Sequence, residues 1–237
     1  MVIASTIKKA TEELKIIIPS SAIFAFEKYY ELLIKHGKHV NLTAIKTPDD
    51  VTTLHFLDSI VLLKFVDFKE KTVIDIGSGA GFPGIPLKIV EPSITLTLLD
   101  ATKKRITFLT ELCKSLNIYA ECIHARAEEY VRTDINQRES YDIVVSRAVA
   151  RLNILCELCL PYLRIGGFFP VMKSSTSDDE INEAQSAIKT LGGKLVEVIP
   201  YTLPETDIIH RIVLIEKTSE TPENYPRRFA RIEKKPI

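Results

Sequence analysis

The stretch Asp75-Ile76-Gly77-Ser78-Gly79-Ala80-Gly81-Phe82-Pro83-Gly84 closes a short β-forming run, TVIDI over 72–76, with four glycines in eight residues. A strand that ends in such a loop lets its backbone approach a ligand closely. Outward from it, the pattern alternates. A helix is predicted over 84–91, a strand over ITLTLLD and a helix over 102–116. Strand-like runs recur at 118–123, 141–146, 167–172, 194–200 and 209–215, with helical stretches between most of them. This alternation predicts an α/β fold with a mostly parallel sheet covered on both faces. Such sheets bind ligands at the carboxyl ends of their strands, near the topological switch point.

The first seventy residues read differently. Near 4–17 and 21–36 apolar residues recur at helical spacing, for example Ile23, Phe26, Tyr30 and Leu33, and Gly37 supplies a stop. Thr47-Pro48-Asp49-Asp50 combines a cap, a first-turn proline and two acids, which together start a helix carrying Leu54, Leu57, Val61 and Phe65. The expected organisation is a helical extension over 1–70, an α/β domain over 71–217 and a basic tail over 218–237.

Two ligand classes use a loop of this kind. Gly79, Gly81 and Gly84 satisfy GxGxxG, which cradles a dinucleotide pyrophosphate. Read from Asp75, the same stretch satisfies D-x-G-x-G-x-G, the first signature of class I S-adenosylmethionine methyltransferases. A carboxylate at Asp75 repels a pyrophosphate and suits a sulfonium and an ammonium. Phe82 and Pro83 build an apolar wall rather than a phosphate cradle. Asp100, about twenty residues on, suits the ribose hydroxyls of either cofactor and also a helix cap. At the third strand's end, Ala127 and Glu128 suit an adenine, or simply open a helix with acids in its first turn. At the fourth strand's end stands Arg147, a clamp for a phosphate, a base edge or the cofactor carboxylate. No NPPY-like tetrapeptide and no Pro-Cys pair accompanies it.

These motifs make the chain similar to the bacterial 16S ribosomal RNA guanine-N7 methyltransferases, the glucose-inhibited division protein B family. The resemblance rests on Asn41-Leu42-Thr43-Ala44, His55-Phe56-Leu57-Asp58-Ser59, DIGSGAGFPGIPL, Leu99-Asp100 with Lys104-Arg105 and Phe108-Leu109, Arg126-Ala127-Glu128, Ser146-Arg147-Ala148, Gly166-Gly167 with Lys173, and Tyr225-Pro226-Arg227-Arg228. It implies a class I methyltransferase fold: a Rossmann-like, mostly parallel seven-stranded sheet with helices on both faces, behind a helical N-terminal extension. It implies methyl transfer from S-adenosylmethionine to N7 of a guanine in the 530 loop of 16S rRNA, position 527 in the usual numbering. It also implies cofactor contacts at Gly77, Phe82, Asp100, Ala101, Thr102, Ala127, Glu128 and Arg147, to which the loop itself adds Asp75, Gly79 and Gly81. Ala101 stands where the family often has Ser, Ser174 where Gly is usual, and Ala230 where Gly is common.

Guanine N7 carries a lone pair and no proton, so the reaction needs no general base. Proximity, alignment and exclusion of water suffice, and no covalent intermediate is expected. Arg147 and Lys173 are the expected catalytic residues, orienting the base edge or its phosphate. From Tyr225 onward five basic residues face one acid, with aromatics interleaved. Tyr225, Arg227, Arg228 and Arg231 are therefore the expected RNA contacts.

Composition narrows the field without naming a partner. The 237 residues are 46% apolar and 26% charged, with 31 basic against 31 acidic side chains. These values argue against wholesale disorder, and near-zero net charge makes any RNA surface local. No apolar run approaches the roughly 18 residues of a membrane span, and the start carries no secretory pattern, so a cytoplasmic protein, acting as a monomer on 16S rRNA or the small subunit, is expected. Cys156 and Cys159 form a CxxC inside an apolar helix with no second pair, and read as buried hydrophobes; no metal site is expected. Three other readings stay open: a nicotinamide-dependent oxidoreductase, a methyltransferase for a ribose hydroxyl, and a non-catalytic ribosome-binding protein.

Overall fold

The computed structural model describes residues 2–37, 42–147, 150–174, 178–204 and 206–237. Asn41 and Ala148, two of the motif residues, lie outside them.

Two helices open the chain, α1 (Val2–Leu14) and α2 (Ala22–Gly37). A third helix starts where the cap signal places it. Thr47 Oγ1 accepts from the Asp50 amide, and α3 (Pro48–Val51) follows. It does not run on as one α-helix. Thr52–Leu57 form a π turn, α4 (Asp58–Ile60) resumes the α pitch, and Val61–Lys64 tighten to 3₁₀. In the π turn the Asp58 amide reaches back to Thr53 O. Such turns are frequent at functional sites, and apolar spacing cannot reveal them.

The α/β part then alternates: β1 (Thr72–Ile76), α5 (Gly84–Val90), β2 (Thr95–Asp100), α6 (Lys103–Leu116), β3 (Ala120–His124), α7 (Ala127–Thr133), β4 (Tyr141–Val145), α8 (Leu152–Cys159), β5 (Leu163–Ser174), α9 (Asp178–Thr190), β6 (Gly193–Thr202), β7 (Ile209–Lys217) and α10 (Phe229–Lys234). The seven strands are ordered β3-β2-β1-β4-β5-β7-β6. The first five pair in parallel, and β7 enters antiparallel between β5 and β6. The order reverses between β1 and β4, so the carboxyl ends of these two strands bound the switch-point crevice.

Two sequence boundaries move for local reasons. β3 begins at Ala120 because Asn117, in the left-handed region at φ 54, first closes α6. β5 is twice the predicted length because Gly166 (φ 81) turns the strand. A Cβ on Gly167 would lie 2.6 Å from Asp142 O, so only glycine lets β5 pass β4 there.

The sheet has a core on each face. One holds Phe26, Tyr29, Leu33, Phe56 and Leu57 from the N-terminal helices with Ile85, Leu109 and Leu112 of α5 and α6. The other holds α8, α9 and the tail residue Ile232, with Cys156 and Cys159 fully buried in it. Burying a large apolar side chain contributes roughly 1.5–3 kcal/mol, so both the helical extension and the tail are anchored by packing.

Candidate active site

The glycine loop takes its shape from backbone strain that only glycine relieves. Gly77, Gly79 and Gly81 have φ of 72, 58 and 103. Gly77 N and Ser78 N both donate to Leu99 O, and Gly79 N donates to Asp100 Oδ2, so the loop is tied to the end of β2. At Gly81 a Cβ would stand 2.7 Å from Tyr29 Oη, and Tyr29 in turn donates to Ala80 O at 2.6 Å. The N-terminal helices thus clamp the loop from outside the α/β part. Phe82 turns inward. Its ring stacks on Tyr29 at 5.3 Å and on His55 at 4.5 Å, and Arg147 lies over it at 4.9 Å.

Above the loop is a cavity of about 450 Å³ lined by Leu42, His55, Gly77, Ser78, Gly79, Ala80, Phe82, Arg105 and Arg147. Asp100 stands behind two of these residues, Gly79 and Arg105. Asp100 Oδ2 accepts from Gly79 N and Arg105 NH1, and Oδ1 from Thr102 N. A carboxylate oxygen has two lone pairs, so Oδ1 keeps one for a hydroxyl. A glycine floor, an aromatic wall and an acid with acceptor capacity fit S-adenosylmethionine.

Asp75 has a different task from the one expected. It is fully buried behind the loop; Oδ2 accepts from Gly84 N at 2.8 Å, and Oδ1 is buried without a partner. Burial raises its pKa to about 7, against the Gly84 amide and the Arg147 charge, which lower it. Asp75 pins β1 to the start of α5 and does not line the cavity. Gly81 also stands behind the floor. Ala101 and Thr102 form the exposed link from Asp100 into α6. Ala127 and Glu128 open α7, beside the end of β3, and are buried; Tyr162 Oη donates to Ala127 O. Glu128 faces a separate cavity of about 740 Å³, shared with Arg126, Arg132, Arg228 and Phe229. Burial raises its pKa.

A second cavity, of about 300 Å³, is lined by Leu54, His55, Asp58, Arg147, Met172, Lys173 and His210. His55 and Arg147 belong to both cavities and form the wall between them. Arg147 is held through both terminal nitrogens. NH1 donates to Leu54 O and to Asp58 Oδ2, and NH2 donates to His55 Nδ1 at 3.0 Å. A guanidinium only donates, so Nδ1 must accept, and Nε2–H of His55 donates to Thr43 Oγ1 at 2.8 Å. Burial, then Arg147, depresses the His55 pKa to about 4, so the ring is neutral at physiological pH. Asp58 is buried yet held below the usual carboxylate range: His210 and Tyr201 bond to Oδ1 and Arg147 to Oδ2, which together overcome its desolvation. Lys173 donates to Ala150 O and Glu180 Oε1.

The residues sequence reasoning missed are those that hold Arg147. His55 and Asp58 were visible only as part of a motif, and Tyr201 and His210, from β6 and β7, carry no local signal. The tail needs a correction. Arg227, expected on RNA, grips buried Glu157 through Nε and NH2 while its amide donates to Oε1. Its side chain is 13% exposed. Arg228 and Arg231 remain exposed, and Tyr225 is half-buried beneath Arg227.

Comparison with known proteins places this arrangement. The chain resembles a SAM-dependent methyltransferase from Aquifex aeolicus, with TM-score 0.52 and 15% identity over 72% of this chain and 94% of that one. It resembles a putative transferase from Pyrococcus horikoshii similarly, with TM-score 0.53 and 10% identity over 67% of this chain and 61% of that one. These similarities establish the class I methyltransferase fold. Sequence similarity is much higher to ribosomal RNA small subunit methyltransferase G of Desulforamulus reducens, 44% identical over 98% of this chain and 97% of that one. The protein of the same name from Alkaliphilus oremlandii is 43% identical over the full length of both. The family model described as rRNA small subunit methyltransferase G matches residues 22–208. The glycine floor, the acid at the end of β2 and the Arg147 wall are thus the site of a chain that belongs to the rRNA small subunit methyltransferase G family.

Proposed function

We propose that the protein transfers a methyl group from S-adenosylmethionine to N7 of a guanine in the 530 loop of 16S rRNA. The observation that carries this reading is the pair of cavities meeting at His55 and Arg147. One has a floor suited to the methyl donor, and the other has the size of the smallest ligand sites, about 300 Å³. When bound, S-adenosylmethionine supplies an electrophilic methyl, which N7 takes with its lone pair while the C–S electrons stay on sulfur and no proton moves.

The chain's own residues then have positional roles. Gly77, Gly79 and Phe82 hold the donor over the loop, and Asp100, Ala101 and Thr102 hold its ribose edge. Ala127 and Glu128, at the start of α7 and beyond the cavity over the loop, take the base end of the donor. Arg147, fixed by Asp58 and His55, sets the boundary across which the two reactants meet. Lys173, fixed by Glu180, supplies positive charge for an RNA phosphate. Three hydrogen bonds, to Leu54 O, Asp58 Oδ2 and His55 Nδ1, turn the Arg147 guanidinium toward the protein, which leaves the N7 lone pair for attack. Arg228 and Arg231, with Tyr225, contact the RNA outside the site. The protein works as a monomer in the cytoplasm. Among the described residues no helix is long and apolar enough to cross a membrane.

The test is transfer of labelled methyl to small-subunit RNA lacking the modification, naked and assembled, followed by nucleoside analysis. The expected product is 7-methylguanosine at one site. Label in another nucleoside, or none on either form, overturns the reading.

A further inference from the structure

We propose that His210, backed by Asp58, is the group that reads the acceptor base, accepting a hydrogen bond from guanine N1–H through Nε2. The inference rests on the guanine-N7 reading above and extends it to how guanine is chosen.

His210 lies on β7, opposite Ser174 on β5 and Tyr201 on β6, and its ring lines the 300 Å³ cavity. Its Nδ1 is 2.9 Å from Asp58 Oδ1. Tyr201 Oη donates to the same oxygen at 2.7 Å. The ionised carboxylate can only accept, so Nδ1 carries a proton. The remaining polar atom, Nε2, has no partner among the described residues. In the neutral ring that atom is a lone pair. The other polar side chains of the cavity are engaged: Arg147 on Leu54, Asp58 and His55; Lys173 on Ala150 and Glu180; His55 on Thr43 and Arg147. Among the described residues lining the cavity, Nε2 is thus an acceptor fixed in direction by a partner and left open toward a ligand, beside the lone pair that Asp58 Oδ2 keeps.

Guanine offers N1–H as a donor on its Watson–Crick edge, where adenine offers a bare nitrogen. An oriented acceptor here rejects adenine by leaving a buried pair unmade. It has a second effect. Methylation leaves the purine ring positively charged, and N1–H becomes a stronger donor as that charge develops. A hydrogen bond to the dyad therefore strengthens toward the transition state, which is the condition for acceleration. Arg147 and Lys173 already place two cations beside this cavity, balanced by Asp58 and Glu180.

The test uses the full chain and small subunits reconstituted with RNA carrying guanosine, inosine or 2-aminopurine nucleoside at the target position. 2-Aminopurine keeps N7 and lacks N1–H; inosine keeps both. His210→Asn keeps a donor for Asp58 and removes the outer nitrogen, and His210→Gln returns an amide group near it. The expected result is coupling. His210→Asn lowers kcat at least tenfold on guanosine and on inosine, but much less than that on 2-aminopurine, because that contact is already gone. His210→Gln recovers part of the loss on guanosine, and melting temperatures and S-adenosylmethionine affinity stay near those of the unchanged protein. An equal loss on all three bases, with the unchanged protein active, overturns the role of His210 alone. If the unchanged protein yields no 7-methylguanosine from guanosine RNA, the acceptor assignment fails and this inference fails with it.

Discussion

The two halves of the site are built in opposite ways. The donor side is local: the single stretch 75–84 supplies its floor through Gly77, Ser78, Gly79, Ala80 and Phe82, and Asp100 ties that floor to the next strand. The acceptor side is assembled from residues 54–58, 147, 172–173 and 210, four separate segments brought together at one wall. Strain holds the first, through glycines at positive φ, of which Gly81 packs against Tyr29. Charge pairing holds the second, through Asp58 and the three donors around it. Damage to the floor should therefore appear as lost stability and donor affinity, and damage to the wall as lost turnover.

The most disruptive change by this logic is Gly81→Ala. Its Cβ would overlap Tyr29 Oη, and φ 103 is closed to alanine at low cost. Destabilisation of about 2–5 kcal/mol is expected from strain plus overpacking, together with loss of S-adenosylmethionine binding. Thermal melts and calorimetric titration check both; a variant that melts and binds normally would break the account of the floor.

Asp75 sharpens the same side. Its folded pKa, about 7, lies above the unfolded carboxylate value near 4. The native state then holds more protons between these values, so stability falls as pH rises from about 4 to 7 and the penalty is complete above pH 7. The penalty is roughly 2–4 kcal/mol. Asp75→Asn removes it, and the stability difference between variant and parent, from urea titrations at several pH values, should grow across that window in favour of the variant. No change in the difference would place the proton elsewhere.

On the wall, Arg147→Ala should lower kcat by about 100-fold, or about 2.7 kcal/mol, while the melting temperature falls by only a few degrees. Asp58 keeps Tyr201 and His210 as donors, so the carboxylate is not orphaned. Full activity in this variant would remove Arg147 from the site. The smallest effect is expected at the tail. Arg231→Ala should leave stability within about 0.5 kcal/mol, and should weaken RNA binding while reducing the salt slope by about one. An unchanged slope would remove Arg231 from the RNA surface.

What was legible in the sequence follows the same division. The loop, Asp100 and the strand–helix alternation depend on neighbours in the chain, so residue type and spacing report them. Arg147 was visible because it ends a strand at the switch point. Its partners were not, because β7 turns back antiparallel to carry His210 beside α4, 152 residues from Asp58. Arg227 misled for a related reason: a basic, aromatic tail reads as a surface until Glu157, buried in α8, is known to be beneath it. Asp75 was recognised as essential to the loop, but only its burial shows that it faces the protein rather than a ligand.

The π turn at Thr52–Leu57 makes chain length itself a determinant of this wall. A residue removed from it would restore the α pitch, and everything on one side would rotate by about 100° and slide by about 1.5 Å relative to the other. Leu54, His55 and Asp58 could not then all meet Arg147. Substitution at these positions tests side chains one at a time, whereas a single-codon deletion between 52 and 57 would separate them all while leaving His55 and Asp58 in place as letters. In this segment a gap of one residue in a relative carries more information about the acceptor side than several replacements do.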